Sequence, residues 1–220
     1  MMSRSLVIVG AGGFGREVVQ YVRDAGQDEV IGFLDDRDDA VTGWADLPAW
    51  LGPLGTHQVR PDVAYVIGVG KPSVRAALAA ALERAGARFA SVIHPSAYVP
   101  ATAQIGVGSI LAPGAHVGPY ARLGEHSVLN VLASVGHDAT VGRATVFSPY
   151  AVINGAAVIG DEVLLGTRAT ILAGVTVGSS AQIAAGAVVY RDVASFALAQ
   201  GDPARSRVMF APAPTVPDEP

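Results

Sequence analysis

An apolar residue recurs at every sixth position of this chain from Ile93 to Val189, without interruption. In each of these hexapeptides the fifth residue is Ala, Ser, Thr or Val, and the second is often Gly. A period of six fits neither an α-helix, which repeats about every 3.6 residues, nor an alternating amphipathic strand. It predicts a solenoid in which three short strands make one triangular coil and successive coils stack.

Each hexapeptide is expected to contribute one strand to such a coil. Its first residue points into the prism, its small fifth residue fits beside it, and Gly at the second position permits the turn. Because no coil can bury its own faces, stacking is obligatory. The repeat therefore accounts for a chain that is 50% hydrophobic and holds 26 Gly, yet has no run of about 18 consecutive apolar residues.

Charge is scarce in the repeat, where residues 93–194 carry nine of the chain's 34 Asp, Glu, Lys and Arg side chains. Sparsely charged faces are unfavourable in water, so self-association through a face is expected. The net charge of −4 argues against nucleic acid as the main partner. The absence of Cys excludes disulfides and thiolate chemistry. With no signal peptide and no membrane span recognised, a cytoplasmic protein is expected.

The chain before the repeat has a different pattern, in which apolar strands alternate with helices. The strands are predicted at Ser5–Val9, Val30–Leu34 and Val63–Ile67, and the helices at about Phe14–Ala25 and Pro72–Gly86. This order predicts a parallel sheet with right-handed crossovers, the βαβ arrangement of half a Rossmann fold. The predicted domains are 1–92 for nucleotide binding, 93–194 for the β-helix, and 195–220 for a C-terminal extension whose proline-rich end, Val208–Pro220, is expected to be mobile.

The segment Gly10–Gly15 matches the glycine-rich dinucleotide fingerprint, with the acidic pair Asp35 and Asp36 following the next strand. In that context the free N–H groups of a helix N-terminus face a phosphate. A dinucleotide needs two mononucleotide halves and this region holds one, so one nucleotide, such as that of a nucleotide-sugar, is favoured over NAD or a purely structural turn. The candidate nucleotide-sugar-binding residues are Gly10, Gly12, Gly13, Gly15, Asp35, Asp36 and Lys71.

Two alternatives stay open at this site. Asp35 and Asp36 either accept hydrogen bonds from a ribose or base, or form a solvated pair at a strand end. Lys71 and Arg75 either balance phosphate charge or occupy an exposed helix start.

His137 is followed directly by Asp138, and both lie in the repeat. His137 and Gly155 are each third in their hexapeptides and are one coil apart, so they are expected to stack about 4.8 Å from each other. A histidine beside a carboxylate can take a proton from an amine or hydroxyl, and the Gly155 N–H can stabilise an oxyanion. On the residues alone, an ordinary surface pair is the more common interpretation. His116 and His126 are expected at exposed or interface positions, and no metal is expected.

The two-part plan resembles the bacterial sugar acetyltransferases that join a small nucleotide-binding βαβ domain to a left-handed, hexapeptide-repeat β-helix. That family includes sialic acid O-acetyltransferases and UDP-4-amino-sugar N-acetyltransferases. The resemblance rests on Gly10–Gly15, Gly32–Asp36, Ile93–Ala97, Asn130, Gly136–Asp138, Val141–Gly142, Phe147–Pro149, Gly155 and Gly201–Arg205. One departure is Val146, which stands where many relatives carry a second histidine.

The resemblance implies a homotrimer with left-handed coils, with His137 as general base and Asp138 as the residue that holds and polarises it. It also implies that Asn130 helps to position the site, and that acetyl-CoA lies between subunits with contacts at Gly155 and Gly174. The implied function is acetyl-CoA-dependent N-acetylation of a nucleotide-linked amino sugar by direct transfer. The alternatives are O-acetylation of a free sugar such as sialic acid, and a non-catalytic, nucleotide-binding trimer.

Overall fold

The N-terminal part of the computed structural model, which describes residues 4–210, is a four-stranded parallel sheet with helices. Its elements are β1 (Arg4–Val9), α1 (Gly13–Ala25), β2 (Asp28–Leu34), a 3₁₀ turn (Leu54–Thr56), β3 (Ala64–Ile67), α2 (Pro72–Arg84) and β4 (Arg88–Phe89). The strand order is β2-β1-β3-β4 and every neighbouring pair is parallel. The predicted alternation of strands and helices is therefore confirmed.

The central strand β1 is buried on both sides, as parallel strands covered by helices are. Leu6 and Ile8 pack in a cluster with Val18 and Val22 of α1. The alternate residues of β1 face the other side, where Val7 packs in a cluster with Leu82 of α2 and other residues. The sheet is thus the middle layer of a helix–sheet–helix sandwich.

Residues 92–189 form two-residue strands, most of which pair in parallel with the strand 18 residues further on, such as Val128 with Val146. In chain order they are β5 (Val92–Ile93), β6 (Gln104–Ile105), β7 (Ile110–Leu111), β8 (His116–Val117), β9 (Arg122–Leu123), β10 (Val128–Leu129), β11 (Ser134–Val135), β12 (Thr140–Val141), β13 (Val146–Phe147), β14 (Val152–Ile153), β15 (Val158–Ile159), β16 (Leu164–Leu165), β17 (Thr170–Ile171), β18 (Thr176–Val177), β19 (Gln182–Ile183) and β20 (Val188–Val189). This is the predicted coil of three hexapeptides.

The strands form three faces of a prism. The first face contains β5, β7, β10, β13, β16 and β19, the second β8, β11, β14, β17 and β20, and the third β6, β9, β12, β15 and β18. A terminal hairpin extends the first face: β21 (Ala197–Gln200) pairs in parallel with β19, and β22 (Arg205–Val208) pairs antiparallel with β21. The predicted fold class, a βαβ region followed by a parallel β-helix, is confirmed.

The interior follows the hexapeptide pattern. The first residues of the hexapeptides from Leu111 to Val189 are buried, as predicted. Ile93 is 38% exposed because no coil precedes it. Where the fifth residue is polar, its hydroxyl is satisfied: Ser127 Oγ donates to the Gly142 carbonyl oxygen at 3.0 Å and Thr145 Oγ1 to that of Gly160 at 2.9 Å.

The predicted reason for the second-position glycines is wrong. The left-handed backbone at the turns falls on the fourth position of the hexapeptides, where Asp138 has φ +59 and Tyr150 has φ +61. The second-position glycines are needed because the coils approach closely. A Cβ on Gly136 would lie 2.5 Å from the Gly155 backbone nitrogen of the next coil. Any larger residue there would push the coils apart.

The N-terminal region packs on the first face of the β-helix, where Val92, Ile110, Val128 and Val146 join the apolar cluster of α1. Arg75 of α2 is fully buried at this junction. Its guanidinium donates hydrogen bonds to two carbonyl groups of the N-terminal region, those of Ile67 and Val69, and to two of the β-helix, those of Gly108 and His126. Burial lowers the pKa of Arg75 to about 9. Arg75 is therefore a structural clamp, and its assignment to a phosphate or to an exposed helix start is wrong.

His126 is also buried at the junction. Its Nε2 lies 3.0 Å from Glu83 Oε1, and Arg143 Nη2 lies 3.3 Å from the same oxygen. Burial, with a smaller contribution from the nearby charges of Arg75 and Arg143, lowers the pKa of His126 despite the Glu83 carboxylate. Burial would raise the pKa of Glu83, but His126 and Arg143 together hold it below its usual value. At this edge of the junction the buried His126 is thus linked to two partly exposed charged groups, Glu83 and Arg143.

The structure describes three residues of the predicted mobile tail, Val208 to Phe210. Val208 ends β22, and the Met209 and Phe210 N–H groups donate to the Phe196 carbonyl oxygen at 3.1 and 3.2 Å. The remainder of the predicted mobile tail, residues 211–220, lies outside the described residues. Within residues 4–210, no helix has the length and hydropathy needed to cross a membrane.

Replacing Arg75 with Met should destabilise the protein strongly. Methionine has a similar length but leaves four carbonyl groups, three of them buried, without their donor, so we expect the free energy of unfolding to fall by about 3 kcal/mol or more. Urea unfolding followed by circular dichroism measures the loss. Arg84→Met, on the exposed side of the same helix, should change stability by less than about 0.5 kcal/mol. Equal effects of the two substitutions would contradict the clamp.

Acidification should weaken the junction. Because burial lowers the folded-state pKa of His126, the unfolded chain binds a proton that the folded chain does not as the pH falls through about 6.5. We therefore expect the free energy of unfolding to fall from about pH 7.5 to about pH 5.5. His126→Asn, which tolerates the local φ of +57 and does not titrate, should reduce this slope. An unchanged slope in His126→Asn would count against the prediction.

Candidate active site

His137 and Asp138 form a hydrogen-bonded pair at the corner between the second and third faces, here called the histidine corner. His137 Nδ1 lies 2.7 Å from Asp138 Oδ2. Asp138 has φ +59, and its backbone N–H donates to the Pro119 carbonyl oxygen at 3.0 Å, which holds the turn. Because a carboxylate only accepts hydrogen bonds, Nδ1 carries the proton and Nε2 is left as an acceptor. The His137 side chain is 68% exposed, so Nε2 is accessible to a second molecule.

Gly155 lies directly beneath the His137 ring on the next coil. A Cβ at Gly155 would lie 2.5 Å from Nε2 and 2.6 Å from Cε1 of His137, so the ring position requires glycine here. The Gly155 carbonyl oxygen accepts a hydrogen bond from the Gly174 N–H at 3.0 Å, whereas no residue in 4–210 accepts one from the Gly155 N–H. Gly174 has φ +72 and open space around its Cα. The corner therefore combines a free base, a free N–H donor and an unobstructed surface.

Asn130 lies at a different corner, between the first and second faces. Its Oδ1 accepts a hydrogen bond from the Val131 N–H at 2.7 Å. It lines a cavity of about 180 Å³ between the N-terminal region and the β-helix, here called the interdomain cavity, with Phe14, Glu17, Gly70, Val128, Val146, Ser148 and Leu164. A single chain therefore does not bring Asn130 to His137.

Val146, the departure from the family pattern, is buried in the wall of the interdomain cavity. It belongs to the apolar cluster against which Phe14 and Leu164 pack. The position where many relatives carry a histidine is thus an apolar surface of this cavity.

The glycines of the fingerprint loop have two distinct roles. Gly10 has φ +101 and donates its N–H to the Leu34 carbonyl oxygen at 2.7 Å, while a Cβ on Gly15 would overlap the Gly10 carbonyl. These two shape the loop. A Cβ on Gly12 or Gly13 would meet nothing within 4 Å, and the start of α1 has no side-chain cap. The first N–H groups of α1 are therefore open to an anion.

Asp35 ties the fingerprint loop to the end of β2. Its Oδ2 accepts from the Ala11 N–H at 2.8 Å and its Oδ1 from the Arg37 N–H at 3.0 Å. Burial would raise the pKa of Asp35, but these hydrogen bonds and the Arg37 charge hold it below its usual value. Asp35 is thus structurally engaged rather than a solvated strand-end group.

Asp36, Gly10 and Lys71 do not share one cavity lining. Asp36 and Gly10 line a cavity of about 360 Å³ whose other walls include Leu54 and Val74. Lys71 is the N-cap residue of α2 and lines a separate cavity of about 630 Å³ at the C-terminal coils. The predicted grouping of Lys71 with the fingerprint loop therefore gains no support from the lining residues.

Glu83, Glu125 and His126 bring their ligand atoms within 4.8 Å of one another at the junction. Glu83 already pairs with His126 and Arg143, so the arrangement reads as a balanced charge network. We assign no metal to it.

Phe14, Glu17 and Ser148 were not among the predicted site residues. Phe14 and Glu17 are three apart on α1, so they share one face of that helix. Their spacing after the fingerprint loop could have indicated from the sequence that the two side chains lie together. What it leaves open is which surface the helix face meets, and this depends on how the two parts of the chain pack.

Comparisons with known proteins agree with this architecture. Residues 5–82 match the family described as PglD N-terminal domain, and residues 157–191 match the hexapeptide repeat of succinyl-transferase. UDP-N-acetylbacillosamine N-acetyltransferase of Bacillus subtilis (strain 168) is 33% identical over 112 residues, or 48% of this chain and 50% of that protein. The match thus spans half the length of this curated relative.

Two solved structures are similar over nearly the whole chain. The acetyltransferase domain of PglB from Neisseria gonorrhoeae FA1090, in complex with acetyl coenzyme A, has a TM-score of 0.86 and 30% identity, covering 93% of this chain and 99% of that one. PerB from Caulobacter crescentus, in complex with CoA and GDP-perosamine, has a TM-score of 0.82 and 27% identity, covering 92% and 97%.

A nucleotide-type βαβ region joined to a hexapeptide solenoid defines a class of two-part transferases. Within that class, the chain belongs to the bacterial hexapeptide-repeat sugar acetyltransferase family. The resemblance drawn from the sequence is confirmed.

Proposed function

We propose that this protein transfers the acetyl group of acetyl-CoA to the amine of a nucleotide-linked amino sugar. The observation that carries the proposal is the histidine corner, where the free Nε2 of His137 lies over Gly155 and its unbonded N–H. The relatives support the substrates, since one is named as an N-acetyltransferase of a UDP-linked sugar and another was solved with CoA and GDP-perosamine.

The reaction needs a base and an oxyanion donor, and the histidine corner offers both. The amine lone pair attacks the thioester carbonyl carbon while His137 Nε2 takes a proton from the nitrogen. Asp138 stabilises the imidazolium that forms, and the Gly155 N–H donates to the oxyanion. Collapse of the tetrahedral intermediate breaks the C–S bond, and the departing thiolate takes the proton from His137. Transfer is direct, with no acyl-enzyme.

The nucleotide-sugar is proposed to bind along the N-terminal region. Its diphosphate meets the open N–H groups of Gly12 and Gly13, and its nucleoside occupies the cavity beside Asp36. The sugar then enters the interdomain cavity, whose wall begins at Phe14, the next residue along α1. The single nucleotide half of the fold matches one nucleotide.

We further propose that the active form is a homotrimer with its sites between subunits. Asn130 and His137 lie at different corners of one prism, so a second chain is needed to bring a histidine corner to the interdomain cavity. The second face, next to the histidine corner, presents the small, uncharged column Ser134, Val152 and Thr170 along its strands. Such a surface is suited to burial against another copy.

Substitution of the histidine corner should abolish transfer without unfolding the chain. In Gly155→Ala the new methyl group displaces the His137 ring, and in His137→Ala the base is gone, so we expect each to lower kcat by about 10²- to 10⁴-fold. Release of the CoA thiol measures the rate, and size-exclusion chromatography checks assembly. Glu29→Ala, at an exposed position on β2, is the control. A folded, assembled His137→Ala protein with the wild-type rate would refute the assignment of the base.

Binding should depend on the nucleotide. Because the proposed contacts are made by Gly12, Gly13 and the Asp36 cavity, we expect GDP- or UDP-linked amino sugars to bind at least about 100-fold more tightly than the free sugars. Isothermal titration calorimetry gives the comparison. Tighter binding of free sialic acid would favour the O-acetyltransferase alternative. Nucleotide binding without any thiol release across the amino-sugar panel would favour the non-catalytic trimer.

A further inference from the structure

Glu17, an exposed residue of α1, lines the interdomain cavity on one side and a surface cavity with Arg16 and Arg23 on the other. It is the one ionisable residue among those that the described chain contributes to the lining of the interdomain cavity. Phe14, Val128, Val146 and Leu164 supply apolar walls, and Asn130 and Ser148 supply neutral polar groups. The cavity therefore has a single charged group, and that charge is negative. A ligand group with a positive charge is the one that this cavity complements best.

The Glu17 carboxylate is held by one of its oxygens and free at the other. Tyr21 Oη, one helical turn later, donates a hydrogen bond to Glu17 Oε2 at 3.0 Å. Burial, together with the Glu17 charge, raises the pKa of Tyr21, so that phenol stays protonated as a donor. Within residues 4–210 no hydrogen bond reaches Glu17 Oε1. One oxygen thus fixes the side chain while the other remains available to a ligand.

Two cations nearby do not neutralise this carboxylate. Arg16 lies over the Trp44 ring, 4.8 Å from its centroid, and Arg23 bonds to the Asp46 carbonyl oxygen and carboxylate. Val146, which is buried in the cavity wall, carries no charge that would compete for Glu17. The negative charge of Glu17 is therefore left for the occupant of the cavity.

We infer that Glu17 is the specificity-determining residue that selects an amino-group acceptor, by receiving the ammonium group of the sugar in the interdomain cavity. The inference rests on the proposed function, because it takes the cavity to be the sugar site. A hydroxyl acceptor presents a neutral donor to the same oxygen and gains less from it.

This role is compatible with the chemistry of transfer. The ammonium group bound at Glu17 loses one proton to solvent through the exposed side of the cavity, which leaves a neutral amine with a lone pair. C–N bond formation then releases a second proton to His137, and that proton leaves with the CoA thiolate. The net reaction converts the ammonium sugar and acetyl-CoA into the amide, CoA thiol and one proton. Glu17 orients the nitrogen and takes no covalent part.

The test compares Glu17→Gln with the matched control Glu29→Gln, which removes the same charge from an exposed position on β2. Glutamine keeps the shape of Glu17 and an oxygen for the Tyr21 hydroxyl. The acceptors are GDP-perosamine, a UDP-linked 4-amino sugar, and the corresponding nucleotide-linked sugars with a hydroxyl in place of the amine. Thiol release gives kcat and KM for each acceptor and for acetyl-CoA, and calorimetry gives the affinity for free GDP and UDP.

In Glu17→Gln we expect the KM of the amine acceptor to rise about 10- to 100-fold, and the preference for amine over hydroxyl to fall by the same factor. The KM for acetyl-CoA and the affinity for the free nucleotide should not change. Glu29→Gln should match the wild type throughout.

Three results would overturn the inference. If Glu17→Gln behaves like Glu29→Gln in a wild-type background that acetylates amines, Glu17 is not the specificity residue and the proposed function stands. If nucleotide affinity and the KM for acetyl-CoA deteriorate in parallel with the amine KM, the role of Glu17 is structural. If the wild-type protein releases no thiol with any of the acceptors, the proposed function fails and the inference fails with it.

Discussion

The close stacking of coils 18 residues apart is the constraint on which the rest of this molecule depends. It removes the side chain from the second hexapeptide position, since a Cβ on Gly136 would strike the backbone of the next coil. It also sets the spacing at which His137 lies over Gly155. Gly155, which leaves room for the ring on the next coil, also has a backbone N–H that no residue in 4–210 accepts. The packing rule of the fold and the chemistry of the histidine corner thus have one geometric origin.

The junction between the N-terminal region and the β-helix imposes a second constraint. The N-terminal sheet and the β-helix each have a core, yet the apolar cluster of α1 is completed only by outward residues of the first face, such as Val128 and Val146. Arg75 joins carbonyl groups from both parts and has no role at a ligand. This rigid junction fixes α1 over the first face, and so it fixes where Glu17 points. Glu17 of α1 therefore lines a cavity that neither the N-terminal region nor the β-helix forms alone.

The sequence predicted the structure best in the β-helix, where a single six-residue period determines it. The six-residue period alone predicts the buried first positions, the coil length and the His137–Gly155 pair. The role of the second-position glycines was misassigned because a repeat reveals which residue recurs but not what it would touch in the next coil. Arg75 and His126 could not be placed for a different reason: their burial depends on docking between two parts, which leaves no local pattern. The separation of Asn130 from His137 could have been predicted from the sequence. The two residues are seven positions apart in a six-residue repeat, so they lie at successive corners of the prism.

That separation decides how the site can work. A base at one corner and a cavity at another cannot serve the same substrate within one prism, whose corners are held apart by the packed interior. The cavity supplies the Glu17 carboxylate, an apolar wall and, at Phe14, the start of α1, but no histidine. The histidine corner supplies a base and an oxyanion donor, but no enclosure, since His137 is largely exposed. Each half lacks what the other presents, which is why the proposed function places the corner of one subunit against the cavity of the next.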